Sequence, residues 1–163
     1  MTRTCRQEPW EQARPAIETL MAAQWAETGD SRFPLDPNWT VYDLMDKTGR
    51  LVIMVLREDD RPSGYAGGMV HPHMNSKRML VATIPTWYVE PMPGRPFVEK
   101  ALLQEVGRRL VALGAQDVTI ETNADQSAAR LLEVMGGKPR KIAFGFPSSA
   151  FVQEQNDARS GNR

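Results

Sequence analysis

Glu90-Pro91-Met92-Pro93-Gly94-Arg95-Pro96-Phe97 is the stretch on which the reading of this chain turns. Before it, Met79–Glu90 reads as an extended stretch interrupted by Pro85. The loop itself, Pro91–Pro96, holds three prolines and one glycine, so its shape is restricted. From Phe97 the apolar period changes from about two to about 3.6. Val98, Ala101, Leu102, Glu105, Val106, Leu110 and Leu113 then recur at helical spacing until Gly114 ends the helix. A strand that feeds through a stiff loop into an amphipathic helix is the signature of α/β order.

Working outward, Gln116–Thr122 carries Val118 and Ile120 and reads as a short buried strand. Asp125 can cap a helix through Met135 that Gly136-Gly137 ends. Lys138–Phe146 alternates enough (Ile142, Phe144, Phe146) to be a final strand, and Phe151–Arg163 is a polar tail. Upstream, Leu51–Leu56 and Gly64–His71 read as a hairpin around a Glu58–Gly64 turn, the second strand weakened by Gly64, Gly67 and Gly68. Pro9 starts an amphipathic helix over Trp10–Glu27, with Ala13, Ile17, Leu20, Met21 and Trp25 on one stripe and Gly29 at its end. Asn38 caps a shorter helix with Trp39, Tyr42 and Leu44-Met45 facing inward, and Thr2–Gln7 reads as an edge strand. The order implies one domain over 1–150 followed by the tail 151–163. Its class is α/β (α+β mixed): a mixed central sheet of about six to seven strands with helices on both faces.

The composition narrows the partners. Twenty basic and twenty acidic residues cancel, which argues against nucleic acid, whose phosphates call for a basic stripe. The longest apolar run, Leu51–Leu56, is far below membrane-span length. One cysteine, Cys5, permits no disulfide within the chain and suits a reducing compartment. The N-terminal Met1–Trp10 carries Arg3, Arg6 and Glu8 with no apolar stretch, so a cytoplasmic protein is expected. No cysteine or carboxylate stands at a metal-ligand spacing from the only two histidines, His71 and His73.

Several of these segments, in this order, resemble the GNAT (GCN5-related) N-acetyltransferases over about Trp10 to Phe146. Glu90-Pro91, Arg95 and the helix from Phe97 resemble the family's central strand, cofactor loop and following helix. Leu113-Gly114-Ala115 leading to Val118-Thr119-Ile120-Glu121 resembles the exit into the next strand. Ala128, Leu131-Leu132-Glu133 and Met135-Gly136-Gly137 resemble the last helix and the step after it. Leu35-Asp36-Pro37-Asn38-Trp39 and Val70-His71-Pro72-His73 look like features of a subgroup common in bacteriophage genomes.

The resemblance implies acetyl-CoA in a splay beside the central strand, with its pyrophosphate on the N–H groups that start the following helix. It implies cofactor contacts from Val89, Arg95, Phe97 and Val98, and from Asn123 and Asp125 after the next strand. Asp125 is equally a helix cap. The family's loop pattern, Arg/Gln-x-x-Gly-x-Gly/Ala, is not kept: Pro96 and Glu99 fall near its glycines. Proline removes a donor. A glutamate about 4 Å from a phosphate charge costs about 4 kcal/mol at an effective dielectric near 20. Pro96 at the first helical position and Glu99 in the first turn would equally make an ordinary helix start.

Acyl transfer to an amine needs a base, an oxyanion donor and an acid for the departing thiolate. Glu90 at the end of the central strand and Glu121 at the end of the next are base candidates, or solvated strand-end carboxylates. His71, with His73, can act as a base or contact substrate, or be a loop residue. The family's acid, a tyrosine, falls on Leu132; Tyr88 or Tyr65 could stand in. Three functions follow: an acetyl-CoA-dependent N-acetyltransferase acting on an amine of a small molecule or protein, an inactive member serving as a structural or interaction component such as one of a phage virion, or a small-molecule binder that keeps the cleft without chemistry. A homo-oligomer or virion partners would suit the second.

Overall fold

The computed structural model describes residues 2–29, 34–122 and 126–139. Five strands and four helices follow one another as β1 (Arg3–Gln7), α1 (Trp10–Thr28), α2 (Trp39–Lys47), β2 (Leu51–Glu58), β3 (Arg61–His73), β4 (Ser76–Val89), α3 (Arg95–Ala112), β5 (Asp117–Ile120) and α4 (Gln126–Val134). The strands lie side by side in sequence order, antiparallel except for the parallel pair β4–β5. The mixed sheet expected from the sequence is therefore present, with five strands rather than six to seven among the described residues. The strand expected over Lys138–Phe146 falls outside them save for Lys138 and Pro139, which are not extended into a strand; the tail 151–163 falls outside them entirely.

Helices cover both faces because β2 is apolar on both. Leu51, Ile53 and Val55 point to α1 and α2, where Ala13, Ile17, Leu20 and Met21 meet them. Val52, Met54 and Leu56 point to α3, whose Leu102, Leu103, Val106 and Leu110 close the second core, with Leu131, Leu132 and Met135 of α4 at its margin. A strand buried on both sides reads as a continuous apolar run, as Leu51–Leu56 does.

Four local expectations need correction. The hairpin turn is only Asp59-Asp60, both at positive φ (46° and 67°), so β3 begins at Arg61 and takes in Pro62. Aspartate tolerates this conformation, and such two-residue turns match the twist of the strands they join. The glycines of β3 do not weaken it. A Cβ on Gly68 would stand 2.7 Å from Leu110 Cδ1 and 3.2 Å from Val106 Cγ1, so its bare backbone is what admits α3. Leu44 is 58% exposed and faces away from the core that Trp39, Tyr42 and Met45 join. His71-Pro72-His73 lies within β3, not after it.

The position of the site follows from one irregularity. Gly67 pairs with Thr86 but Met69 pairs with Thr83, so Ile84 and Pro85 of β4 stand opposite the single residue Gly68. This β-bulge lets a proline sit in an interior strand without breaking the ladder. β5 pairs with β4 only from Val81 to Ile84, with one further bond from the Glu121 N–H to the Ile84 carbonyl (3.0 Å). Beyond the bulge the two strands part.

Candidate active site

Where β4 and β5 part, a cavity of about 430 Å³ opens, and four elements and the residues after β5 supply its walls. β4 gives Pro85, Trp87 and Tyr88, and the end of α1 gives Gln24, Glu27 and Thr28. The start of α3 gives Arg95, Pro96 and Glu99; Glu121 and Thr122 follow β5; Ser127, Ala128 and Leu131 come from α4. Trp87 belongs with the α3 core and Tyr88 with the α1 core, as alternation along a strand requires. Both reach the cavity, so it passes through the sheet from face to face. The Trp87 indole N–H donates to the Glu121 carbonyl (3.3 Å), tying the parted strands across the opening.

Behind the β4 wall lies a buried polar network. Tyr65 is fully buried; its hydroxyl donates to Gln24 Oε1 and lies 2.8 Å from Thr86 Oγ1. Thr86 Oγ1 also donates to Gln24 Oε1 (3.1 Å), and Gln24 Nε2 donates to the Trp87 carbonyl (3.2 Å). Burial pushes the Tyr65 phenol above its ordinary range. One glutamine side chain thus satisfies a carbonyl of the strand that lost its neighbour.

At the other wall Arg95 joins two helices. Its Nη1 donates to Glu27 Oε1 (2.8 Å) on α1 and its Nε to Glu99 Oε1 (2.7 Å) on α3. Its guanidinium carbon stands 5.4 Å from the centre of the Tyr88 ring, within reach of a cation–π contact. Burial raises the Glu99 carboxyl above its usual value, against the lowering effect of Arg95 and with a further rise from Glu27. Burial and the Glu27 carboxylate also raise the Tyr88 phenol, so it stays protonated at neutral pH.

The helix start differs from the expected one. Gly94, at φ 74°, is the N-cap, which makes Arg95 the first helical residue and Pro96 the second. Glu99 stands in the second turn and is 8% exposed. The Arg95 N–H donates to the Met92 carbonyl (3.2 Å), and the Phe97 and Val98 N–H groups both donate to Gly94 (2.9 and 3.3 Å). Pro96 has none to give. The family resemblance implies a pyrophosphate at this place, and these residues do not fit one. The Arg95, Phe97 and Val98 donors are engaged within the chain, the guanidinium already holds two carboxylates, and Glu99 adds negative charge. The opening between the strands, walled by Pro85, Trp87, Ala128 and Leu131, does fit an extended uncharged arm.

Of the residues expected from the sequence, the structure brings Tyr88, Arg95 and Glu121 to this cavity. Glu90 leaves β4 at the cleft but turns its carboxylate to Arg61 (Nη2–Oε2 2.6 Å, Nη1–Oε1 3.1 Å). Val89 is fully buried in the α3 core, Val98 packs against that core, and Phe97 is exposed. His71 pairs with Val81 on the far side of the bulge and its Nε2 lies 3.3 Å from Thr83 Oγ1; His73 Nδ1 accepts the Asn75 N–H (3.2 Å). Asn123 and Asp125 lie outside the described residues. Among the described residues no cluster of His, Cys, Asp and Glu could hold a metal, and no helix is long and apolar enough to cross a membrane.

Gln24 and Glu27 were not anticipated. Gln24 had a signal: it continues the Ala13–Ile17–Leu20 stripe at the next helical step, a polar residue on the buried face of a helix. Glu27 had none, because its partner stands 68 positions away.

No protein-family model matches the chain, and no curated protein matches it in sequence. Solved structures do. The aminoglycoside acetyltransferase meta-AAC0020 from an uncultured soil metagenomic sample, in complex with sisomicin, superposes with a TM-score of 0.70 at 14% identity, over 89% of this chain and 95% of that one. AAC(6')-Iy in complex with the bisubstrate analogue CoA-S-monomethyl-acetylneamine gives 0.70 at 15%, over 90% and 98%. A transcriptional regulator from Bacillus halodurans C-125 gives 0.67 at 14%, over 90% and 99%. None of these three is described as a phage or virion protein, so the phage subgroup and the virion role gain no support from them. Likeness at such identities speaks for architecture, and together with the bulged central strand and the parted β4–β5 pair it gives one conclusion: the chain has the GNAT fold.

Proposed function

We propose that the chain is an N-acyltransferase that moves an acyl group from a thioester to the amine of a small molecule bound in the β4–β5 cleft. One observation carries the reading: the cleft runs through the sheet, so a donor arm from the α3 side and an acceptor from the α1 side can meet at β4. Aminoglycoside acetyltransferases among the structural neighbours support it at the level of fold.

The chemistry assigned to the chain's own residues is modest. The amine nitrogen attacks the thioester carbonyl, the carbon–sulfur bond breaks, and one proton passes from nitrogen to sulfur. Glu121, a carboxylate in the cleft wall, takes the proton from the amine directly or through water. Tyr88, held protonated, supplies one to the departing thiolate. Glu90 is left out because Arg61 engages it away from the lining.

The test is thiol release from acetyl-CoA and from S-acetyl pantetheine over a panel of amines. Glu121→Gln is expected to lower turnover by about 10²-fold or more, the usual worth of a general base. Glu90→Gln should fall well short of that loss; equal losses would return the base to Glu90. Absence of turnover with every donor and amine sinks the reading. A second reading, a GNAT-fold protein without catalysis, is favoured by the α3 start, whose Arg95, Phe97 and Val98 donors and guanidinium are engaged within the chain.

A further inference from the structure

We propose that this cleft recognises its acyl donor through the uncharged pantetheine arm alone and gains no affinity from a nucleotide diphosphate. The inference rests on the N-acyltransferase reading and narrows its donor to a pantetheine thioester that need not carry a nucleotide.

Three features of the α3 wall support it. A diphosphate is held at a helix start by N–H groups with no other partner. Here the Arg95, Phe97 and Val98 N–H groups close turns onto Met92 and Gly94, and Pro96 contributes nothing. Among the described residues the one cation of the lining, Arg95, is neutralised twice, by Glu27 at 2.8 Å and Glu99 at 2.7 Å. The described lining sets Glu27, Glu99 and Glu121 against that single arginine, an acidic field that repels phosphate and favours a cationic amine. The other half of the cleft behaves differently. Pro85, Trp87, Ala128 and Leu131 give it apolar walls, and Ser127 and Thr122 add hydroxyls. An amide-bearing chain with no net charge suits that surface. Glu99 is too deeply covered to swing aside as an exposed side chain would, so the acidic wall belongs to the fold.

Calorimetry on the intact chain with S-acetyl pantetheine, acetyl-CoA and adenosine 3',5'-bisphosphate tests this. The two thioesters are expected to bind within about threefold of each other, and the bisphosphate not at all; a tenfold ratio corresponds to about 1.4 kcal/mol. Acetyl-CoA binding tenfold or more tightly than S-acetyl pantetheine overturns the inference and leaves the N-acyltransferase reading standing. Failure of both thioesters to bind removes the two together. Glu99→Gln separates the wall from the arm: it should tighten acetyl-CoA severalfold and leave S-acetyl pantetheine unchanged. An equal response of both ligands overturns the role given to Glu99. Arg95→Ala offers a second variant, expected to leave S-acetyl pantetheine affinity within threefold, whereas a tenfold loss for acetyl-CoA alone would show that Arg95 does hold phosphate.

Discussion

Tyr65 shows how much a single side chain can decide. It is fully buried in a strand lined with glycine and alanine, and its hydroxyl reaches Gln24 of α1 and Thr86 of β4. Tyr65→Phe keeps the ring and strips the hydroxyl, leaving two buried polar groups short of a partner. The expected cost is about 1–3 kcal/mol, read from urea unfolding with an unchanged m-value; a cost below about 0.5 kcal/mol would mean water replaces the phenol. Glu99 makes a pH-dependent prediction. Its folded pKa lies above the unfolded one, so the native state holds the proton longer. Its contribution to stability is therefore complete below the unfolded pKa and is lost as pH rises through the folded value. Glu99→Gln should melt like the wild type near about pH 4 and progressively above it toward neutrality. Glu99→Gln melting progressively below the wild type toward neutrality would show that Arg95 outweighs burial.

Among the elements, the ends were the most legible part of the chain. α2, α3 and α4 each close with the same paired bonds, for instance Gly114 N–H to Val111 and Ala115 N–H to Leu110. Leu113-Gly114-Ala115 and Met135-Gly136-Gly137 announce two of the three, because a glycine after a periodic run is local information. The bulge in β4 was not legible in that way. Pro85 signalled an interruption, but whether a strand breaks or bulges there depends on what stands opposite, and that is Gly68, from another strand. Gly68→Ala tests the arrangement. Its methyl would press on Leu110 and Val106, both fully buried, and the expected loss is about 1–3 kcal/mol with a corresponding drop in Tm. A neutral substitution would show that α3 can shift away from the bulge.

Taken whole, the molecule is two cores on one sheet, and Arg95 is a polar tie between the helices that cover them. Its bridge to Glu27 links the end of α1 to the start of α3. A double-mutant cycle of Glu27→Gln and Arg95→Ala should give a coupling of about 0.5–1 kcal/mol, since both side chains are partly exposed, and it should shrink in high salt. No measurable coupling would make the two helices independent walls of the cleft.

Periodicity, capping residues and glycine positions concern groups one to four residues apart, and the chain states them openly: both amphipathic helices of the α1–α3 pair, the double-sided strand at Leu51–Leu56 and the order of elements all follow from them. Membership of the cleft obeys a different rule. Which carboxylate meets Arg95, which glutamine caps the widowed carbonyl of Trp87, and why Glu90 turns to Arg61 depend on where α1, α3 and the β2–β3 hairpin come to rest on the sheet. Those placements come from packing between residues tens of positions apart, and no local pattern encodes them.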